Sequence, residues 1–245
     1  MENPHTEPLL EIRGLSVEFP GVKALQQVDF TLDRGEIVAL LGENGAGKST
    51  LIKALTGVYR RAEGTIRLEG QFIDPVSTAQ AQALGIGTVY QEVNLLPNIS
   101  VAANLFIGRE PTRFGMVNQA RMERQAETLL ESYGLHLDVS QPLSVYSIAI
   151  QQIVAIARAV DLSAKVLILD EPTDGMSPWL EEEMGNLIRR LNLDYGLTIL
   201  LLEQRLSLIR RVADYFLLLH RGRNVAQGSM EQLDDHTVDK WLTVA

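Results

Sequence analysis

Two kinds of apolar pattern alternate along this chain. Leu9 to Phe19 (LLEIRGLSVEF) and Val28 to Asp33 (VDFTLD) place apolar and polar residues at a period of two, as half-buried antiparallel strands do. PGVKAL, Pro20 to Leu25, reads as the turn between them, and GTIRLEG, Gly64 to Gly70, as a further alternating strand bounded by glycines. Four other runs are apolar almost throughout and end in polar residues: IVALL (Ile37 to Leu41), KVLILDE (Lys165 to Glu171), LTILLLE (Leu197 to Glu203) and YFLLLHRG (Tyr215 to Gly222). That pattern belongs to parallel strands covered by helices on both faces. Beyond GIGTVYQE (Gly85 to Glu92) the spacing turns helical, in NLLPNISVAANLF and then NQARMERQAETLLESYGL. The prediction is an α/β fold spanning residues 1–245 as one domain. Its core comprises about 1–92 and 161–245, with an inserted, mainly helical subdomain over about 93–160.

The chemistry centres on GENGAGKST, Gly42 to Thr50, directly behind the apolar run IVALL. It fits the phosphate-loop pattern at Gly42, Gly47, Lys48 and Ser49, between a strand and a helix. Glycines let the backbone of Gly42, Glu43, Asn44, Gly45, Ala46 and Gly47 fold into a nest of N–H donors, and Lys48 reaches the terminal phosphates. Ser49 is left for Mg²⁺, beside Thr50, and the helix beginning near Lys48 and ending at Gly57 adds the positive end of its dipole. KVLILDE supplies a second anchor. It presents Asp170 and Glu171 at the carboxyl end of a buried strand, where ligands bind in open α/β sheets. Asp170 suits a Mg²⁺ ligand opposite Ser49, and Glu171 a general base for an attacking water.

Composition narrows the field further. A chain of 245 residues holds one sizeable core. Its net charge of -9 counts against a nucleic-acid surface. It has no cysteine, hence no disulfide framework, and no apolar run approaches the length of a membrane helix. The start, MENPHTEPLLEIRG, lacks the basic and apolar regions of a signal peptide. Cytoplasmic location is the expectation. The four histidines show no ligand spacing, Trp179 and Trp241 suit packing or an interface, and Arg210, Arg211, Arg221 and Arg223 read as a solvated face. EEE, Glu181 to Glu183, suits an exposed first helical turn.

The phosphate loop, VYQE, a glutamine pair leading into IVAIARAV, and LILDEPT occur in the order found in ATP-binding-cassette (ABC) ATPases, which the whole chain resembles. The resemblance implies a P-loop NTPase with a RecA-like parallel core, an N-terminal antiparallel β-subdomain and an α-helical signature subdomain. It makes Gln91 the glutamine that contacts Mg²⁺ and the water, and Phe19 the aromatic that stacks on adenine. Counting back from Gln151 and Gln152, the signature falls on YSIAI, Tyr146 to Ile150. Ser147, Ile148 and Ala149 would then cap the γ-phosphate held by an opposite subunit, with Ala149 and Ile150 departing from the usual residues. Ser177 stands where many relatives carry Asp, and Gln204 where most carry a switch histidine. Glutamine can donate a hydrogen bond but cannot become a cation.

Up to about Pro172 the chain looks like ATPases of bacterial sugar importers, especially the galactofuranose type. Beyond it, PTDGMSPWL, GLTILLLEQRL and TVDKWLTVA look like ATPases of urea and branched-chain amino-acid importers. A recombined chain and a divergent natural one would both produce this. The family implies two copies, or this subunit and a sister, sandwiching two ATP molecules and driving membrane-spanning permease subunits from the cytoplasmic face of the membrane. The alternatives are a binding subunit with weak hydrolysis, given Ala149, Ile150, Ser177 and Gln204, and a soluble, non-transport ABC ATPase.

Overall fold

The computed structural model describes residues 7–90, 95–162 and 164–242. Strands β1 (Leu10–Phe19) and β2 (Val22–Leu32) form a long antiparallel hairpin. The expected turn over Pro20 to Leu25 is therefore shorter than its sequence suggests, because Val22, Lys23 and Leu25 pair with Phe19, Glu18 and Val17 of β1. Next come β3 (Ile37–Leu41) and helix α1 (Lys48–Leu55), capped at Thr56 just short of the expected end at Gly57. Strands β4 (Glu63–Leu68) and β5 (Gln71–Ile73) complete an antiparallel sheet of order β2-β1-β4-β5.

Helix α2 (Thr78–Leu84) leads to β6 (Ile86–Val89). The region expected to be helical holds α3 (Val101–Phe106), α4 (Gln119–Ser132) and α5 (Ile148–Asp161). It also contains a two-residue-per-strand hairpin that the spacing did not suggest, β7 (Thr112–Arg113) with β8 (Met116–Val117). The rest runs β9 (Val166–Asp170), α6 (Pro178–Tyr195), β10 (Thr198–Leu202), α7 (Leu206–Val212), β11 (Tyr215–His220), β12 (Arg223–Ser229) and α8 (Asp235–Trp241). The second sheet has the order β12-β11-β3-β10-β9-β6, parallel except for the edge strand β12.

Period-two alternation assigns the strand residues to two cores. Ile37, Ala39, Leu41, Leu167, Leu169, Ile199 and Leu201 join the core that includes residues of α3 to α7. Val38, Leu40, Val166, Ile168, Leu200 and Leu202 face the other way, onto α1 and the antiparallel sheet. Both faces of the parallel sheet are thus buried, which is why its strands are apolar end to end. Phosphate loop and acidic strand end both lie at the carboxyl edge, since β10 sits between β3 and β9 in register.

The fold adds detail to two surface readings. Glu181 lies in the first turn of α6 but pairs with Arg205, and only Glu182 and Glu183 are exposed. Arg210 pairs with Asp235, Arg211 donates to the carbonyl of Glu182, and Arg223 donates to Gln26 Oε1. All four arginines are exposed, as expected of a solvated face, and Arg210, Arg211 and Arg223 also tie separate elements together.

Candidate functional site

Residues Gly42 to Gly47 form the loop between β3 and α1, with Lys48, Ser49 and Thr50 in the first helical turn. Gly42, Gly45 and Gly47 have φ of 148°, 83° and 107°, a region other residues rarely enter. At Gly42 a Cβ would stand 2.4 Å from the Leu219 carbonyl oxygen, so the loop lies hard against β11. The amide of Ala46 donates to Glu43 O at 3.0 Å, and the amide of Gly222 donates to Ala46 O at 2.8 Å. Gly47 occupies the N-cap of α1, with no side-chain cap and no acidic residue in the first turn. The helix therefore begins with N–H groups that no side chain satisfies, where an anion is favoured.

Lys48 is only 7% exposed, and its Nζ donates to Gly42 O at 2.6 Å and Glu43 O at 3.1 Å. Burial lowers its pKa, while the charges of Glu171 and Asp170 raise it. Asp170, at the end of β9, is pushed above the usual aspartate range by burial and then by Glu171, with Lys48 and Lys53 pulling it back. Two carboxylates thus share a site whose cations offset them only in part. Together with the Ser49 hydroxyl on the first turn of α1, this donor set fits a divalent cation carried with a polyphosphate. Among the described residues, no group of three or more His, Cys, Asp or Glu side chains is arranged to hold a metal by itself.

Glu171 has φ of 48°, and its amide donates to Leu202 O at 2.9 Å. The Gln204 amide Nε2 donates to Glu171 Oε1 at 2.6 Å. The fold therefore brings together Glu171 and Gln204, two of the three residues expected to serve hydrolysis. Phe19 ends β1, is 39% exposed, and meets Tyr59 edge-on with ring centroids 5.0 Å apart. Tyr59 in turn lies 5.3 Å from Lys53 Nζ on α1. Gln91 lies outside the described residues.

Ser147 caps α5 by accepting from the Ile150 amide at 3.5 Å, with Ile148 exposed beside it. Ala149 is 6% exposed, so its methyl faces the core and leaves the outer surface of the helix start unaltered. Ser147, Ile148 and Ala149 make no hydrogen bond to the phosphate loop of their own chain. Ser177 takes the N-cap of α6 without a side-chain cap.

Sequence reasoning passed over Glu203 and Thr173. Both are buried and hydrogen-bonded to each other beneath Gln204. A charged residue closing an apolar strand, LTILLLE, was the available signal.

With this geometry in place, comparison with known proteins gives a consistent result. A family model described as ABC transporter matches residues 25–174. The Galactofuranose transporter ATP-binding protein YtfR of Escherichia coli (strain K12) is 58% identical over 222 residues, 91% of this chain and 44% of that protein. The Ribose import ATP-binding protein RbsA 1 of Rubrobacter xylanophilus is 43% identical over 231 residues, covering 94% and 46%. This chain therefore spans under half the length of these curated relatives. Among solved structures, the ADP conformation of MJ1267, an ATP-binding cassette of an ABC transporter, superposes with TM-score 0.84 at 25% identity. That match covers 96% of this chain and 98% of the other. Family match, chain-long relatives and the phosphate-loop architecture agree: this chain belongs to the ABC transporter family of ATP-binding domains.

Proposed function

We propose that the chain is the ATP-binding and ATP-hydrolysing subunit of an ABC importer, with a sugar as its cargo class. The observation that carries the reading is the convergence of Lys48, Asp170, Glu171 and Gln204 beside the uncapped start of α1. The sugar class is supported by relatives that transport galactofuranose and import ribose, one of them 58% identical.

The residues divide the work as follows. Backbone N–H groups from Gly42 to Gly47 and the ammonium of Lys48 hold the phosphates, and Phe19 offers a face to the base. Ser49 and Asp170 would hold Mg²⁺, which neutralises charge on the triphosphate when bound. Glu171 accepts a proton from the attacking water. Gln204 orients Glu171 through its Nε2–H and, being an amide, carries no proton away. Ser147, Ile148 and Ala149 contact the nucleotide of a second copy, from the start of α5.

For architecture we propose a nucleotide-binding core of about 1–92 and 161–245 carrying the helical signature subdomain of about 93–160. The partners are a second ATPase subunit and membrane-spanning permease subunits. No described helix is long and apolar enough to cross a membrane, so attachment to the cytoplasmic face would run through the permease. A cavity of about 280 Å³ suits that contact. It is lined by Thr56, Gln82, Thr88, Tyr90, Leu95 and Arg158, and the buried Thr88 hydroxyl has no partner among the described residues. The likeness to urea and branched-chain amino-acid importer ATPases rests on residues beyond Pro172 alone, with Gln204 its main support.

The test is Mg²⁺-dependent ATP turnover by the purified chain beside Glu171→Gln. Turnover abolished by the substitution, with nucleotide still bound, supports the reading; background turnover in both reduces the chain to a binding subunit. Failure to co-purify with a multi-span membrane protein would favour a soluble ABC ATPase.

A further inference from the structure

Glu203 is a buried carboxylate that the hydrolytic scheme above does not use. It is 5% exposed, and a buried charge is retained only where donors converge on it. Three do. Its Oε1 accepts from the amides of Gln204 at 2.8 Å and Arg205 at 3.3 Å, and its Oε2 accepts from the Thr173 hydroxyl at 2.6 Å. Thr173 is itself fully buried and lies two residues beyond Glu171. The links close a ring: Glu171 runs through Pro172 to Thr173, Thr173 bonds Glu203, Glu203 leads to Gln204, and Gln204 bonds Glu171 at 2.6 Å. Inside that ring Glu171 holds a φ of 48°, a conformation that persists only where its surroundings enforce it. Arg205 is turned away, its guanidinium paired with Glu181.

We propose that Glu203, with Thr173, is a positioning residue: it locks the loop after β10 to the loop after β9 and so sets Gln204 Nε2 against the Glu171 carboxylate. This rests on the reading of Glu171 and Gln204 as the hydrolytic pair. Glu203 is bound by Thr173 and by the amides of Gln204 and Arg205, and acts through Gln204. Its carboxylate matters as an acceptor set of fixed shape, so glutamine serves in its place. The amide oxygen of Gln would accept from the two N–H groups, and its NH₂ would donate to the Thr173 oxygen.

The test is MgATP turnover by the full chain and by Glu203→Ala, Glu203→Gln, Thr173→Val, Gln204→Ala and the Glu203→Ala/Gln204→Ala double variant. Nucleotide affinity and thermal midpoint are measured on each. Glu203→Ala is expected to lower kcat by about fivefold or more at unchanged KM. In the Gln204→Ala background it adds less than about twofold, because the group it positions is gone. Glu203→Gln restores turnover, and Thr173→Val lowers kcat in the same way; paired with a Thr173→Val/Gln204→Ala double variant it carries the cycle should Glu203→Ala fail to fold. Equal fold losses with and without Gln204, or losses that follow KM or the thermal midpoint, would overturn the proposal while leaving the hydrolytic reading standing. Absence of turnover in the unsubstituted chain would overturn that reading and the positioning role with it.

Discussion

Gly42→Ala separates a loop that is built by glycine from one that merely contains it. Gly42 has φ of 148°, and an added Cβ would lie 2.4 Å from Leu219 O and 2.9 Å from Ala46 Cβ. Leu219 belongs to β11, pairs with Asn224 of β12 and directly follows the last residue paired with β3, so its carbonyl resists displacement. A backbone conformation reserved for glycine costs about 1–3 kcal/mol for another residue. Forcing a methyl into packed neighbours adds about 1–3 kcal/mol. The sum, about 2–6 kcal/mol, corresponds to a fall in thermal midpoint of roughly 5–20 °C for a chain of this size. Gly45 is the control: its φ is 83° but nothing lies within 4 Å of the added Cβ. Gly45→Ala is therefore expected to cost only the conformational share, about 1–2 kcal/mol. Both variants are unfolded thermally and in urea without nucleotide, since ligand would mask the difference by mass action. Equal losses at the two positions, or no loss at Gly42, would refute the packing argument.

Other outcomes follow from the same site. Burial and Glu171 raise the Asp170 pKa in the folded chain, so the native state binds more protons there than the unfolded state. The stability tied to this group is present at low pH and is lost as pH rises from the usual aspartate value through the raised one. Asp170→Asn is thus expected to raise the thermal midpoint of the nucleotide-free chain at neutral pH while abolishing Mg²⁺-dependent hydrolysis; a lower midpoint would contradict the cost of burying this carboxylate beside Glu171. Ala149→Gly reinstates the residue usual in the family but removes a buried methyl from a helix. It is expected to destabilise by about 1–2 kcal/mol, by propensity and lost burial, without raising turnover; faster hydrolysis would show that the methyl obstructs the signature. Phe19→Ala is expected to weaken ATP more than inorganic triphosphate in competition binding, and equal weakening would remove Phe19 from the base.

The parts legible in the sequence are those in which local chemistry leaves one conformation open. GENGAGKST behind IVALL is of this kind, because three of its glycines adopt positive φ and the loop has no room for side chains at Gly42 and Gly47. The parallel strands were legible because burial on both faces forbids polar residues along them. The start of β2 was not, since Val22 and Lys23 are exposed and their pairing is read only in three dimensions. The short hairpin at Thr112–Val117 is exposed and has no periodicity to reveal it. In the site, Asp170 and Glu171 are marked by their position at a strand end, and Gln204 by the family resemblance alone. The Thr173 to Glu203 bond joins residues 30 apart in the chain, and no pattern along the sequence encodes it. Ala149 departs from the usual residue of the signature, and only the fold reveals its methyl turned inward.

The central claim is that a magnesium-bound triphosphate is held by the loop around Lys48. Titration calorimetry of MgATP into the full chain and into Lys48→Ala tests it most directly. Saturable uptake, weakened by about tenfold or more when the buried ammonium is removed, is the expected result. No uptake by the unsubstituted chain, or uptake that Lys48→Ala leaves unchanged, would contradict it.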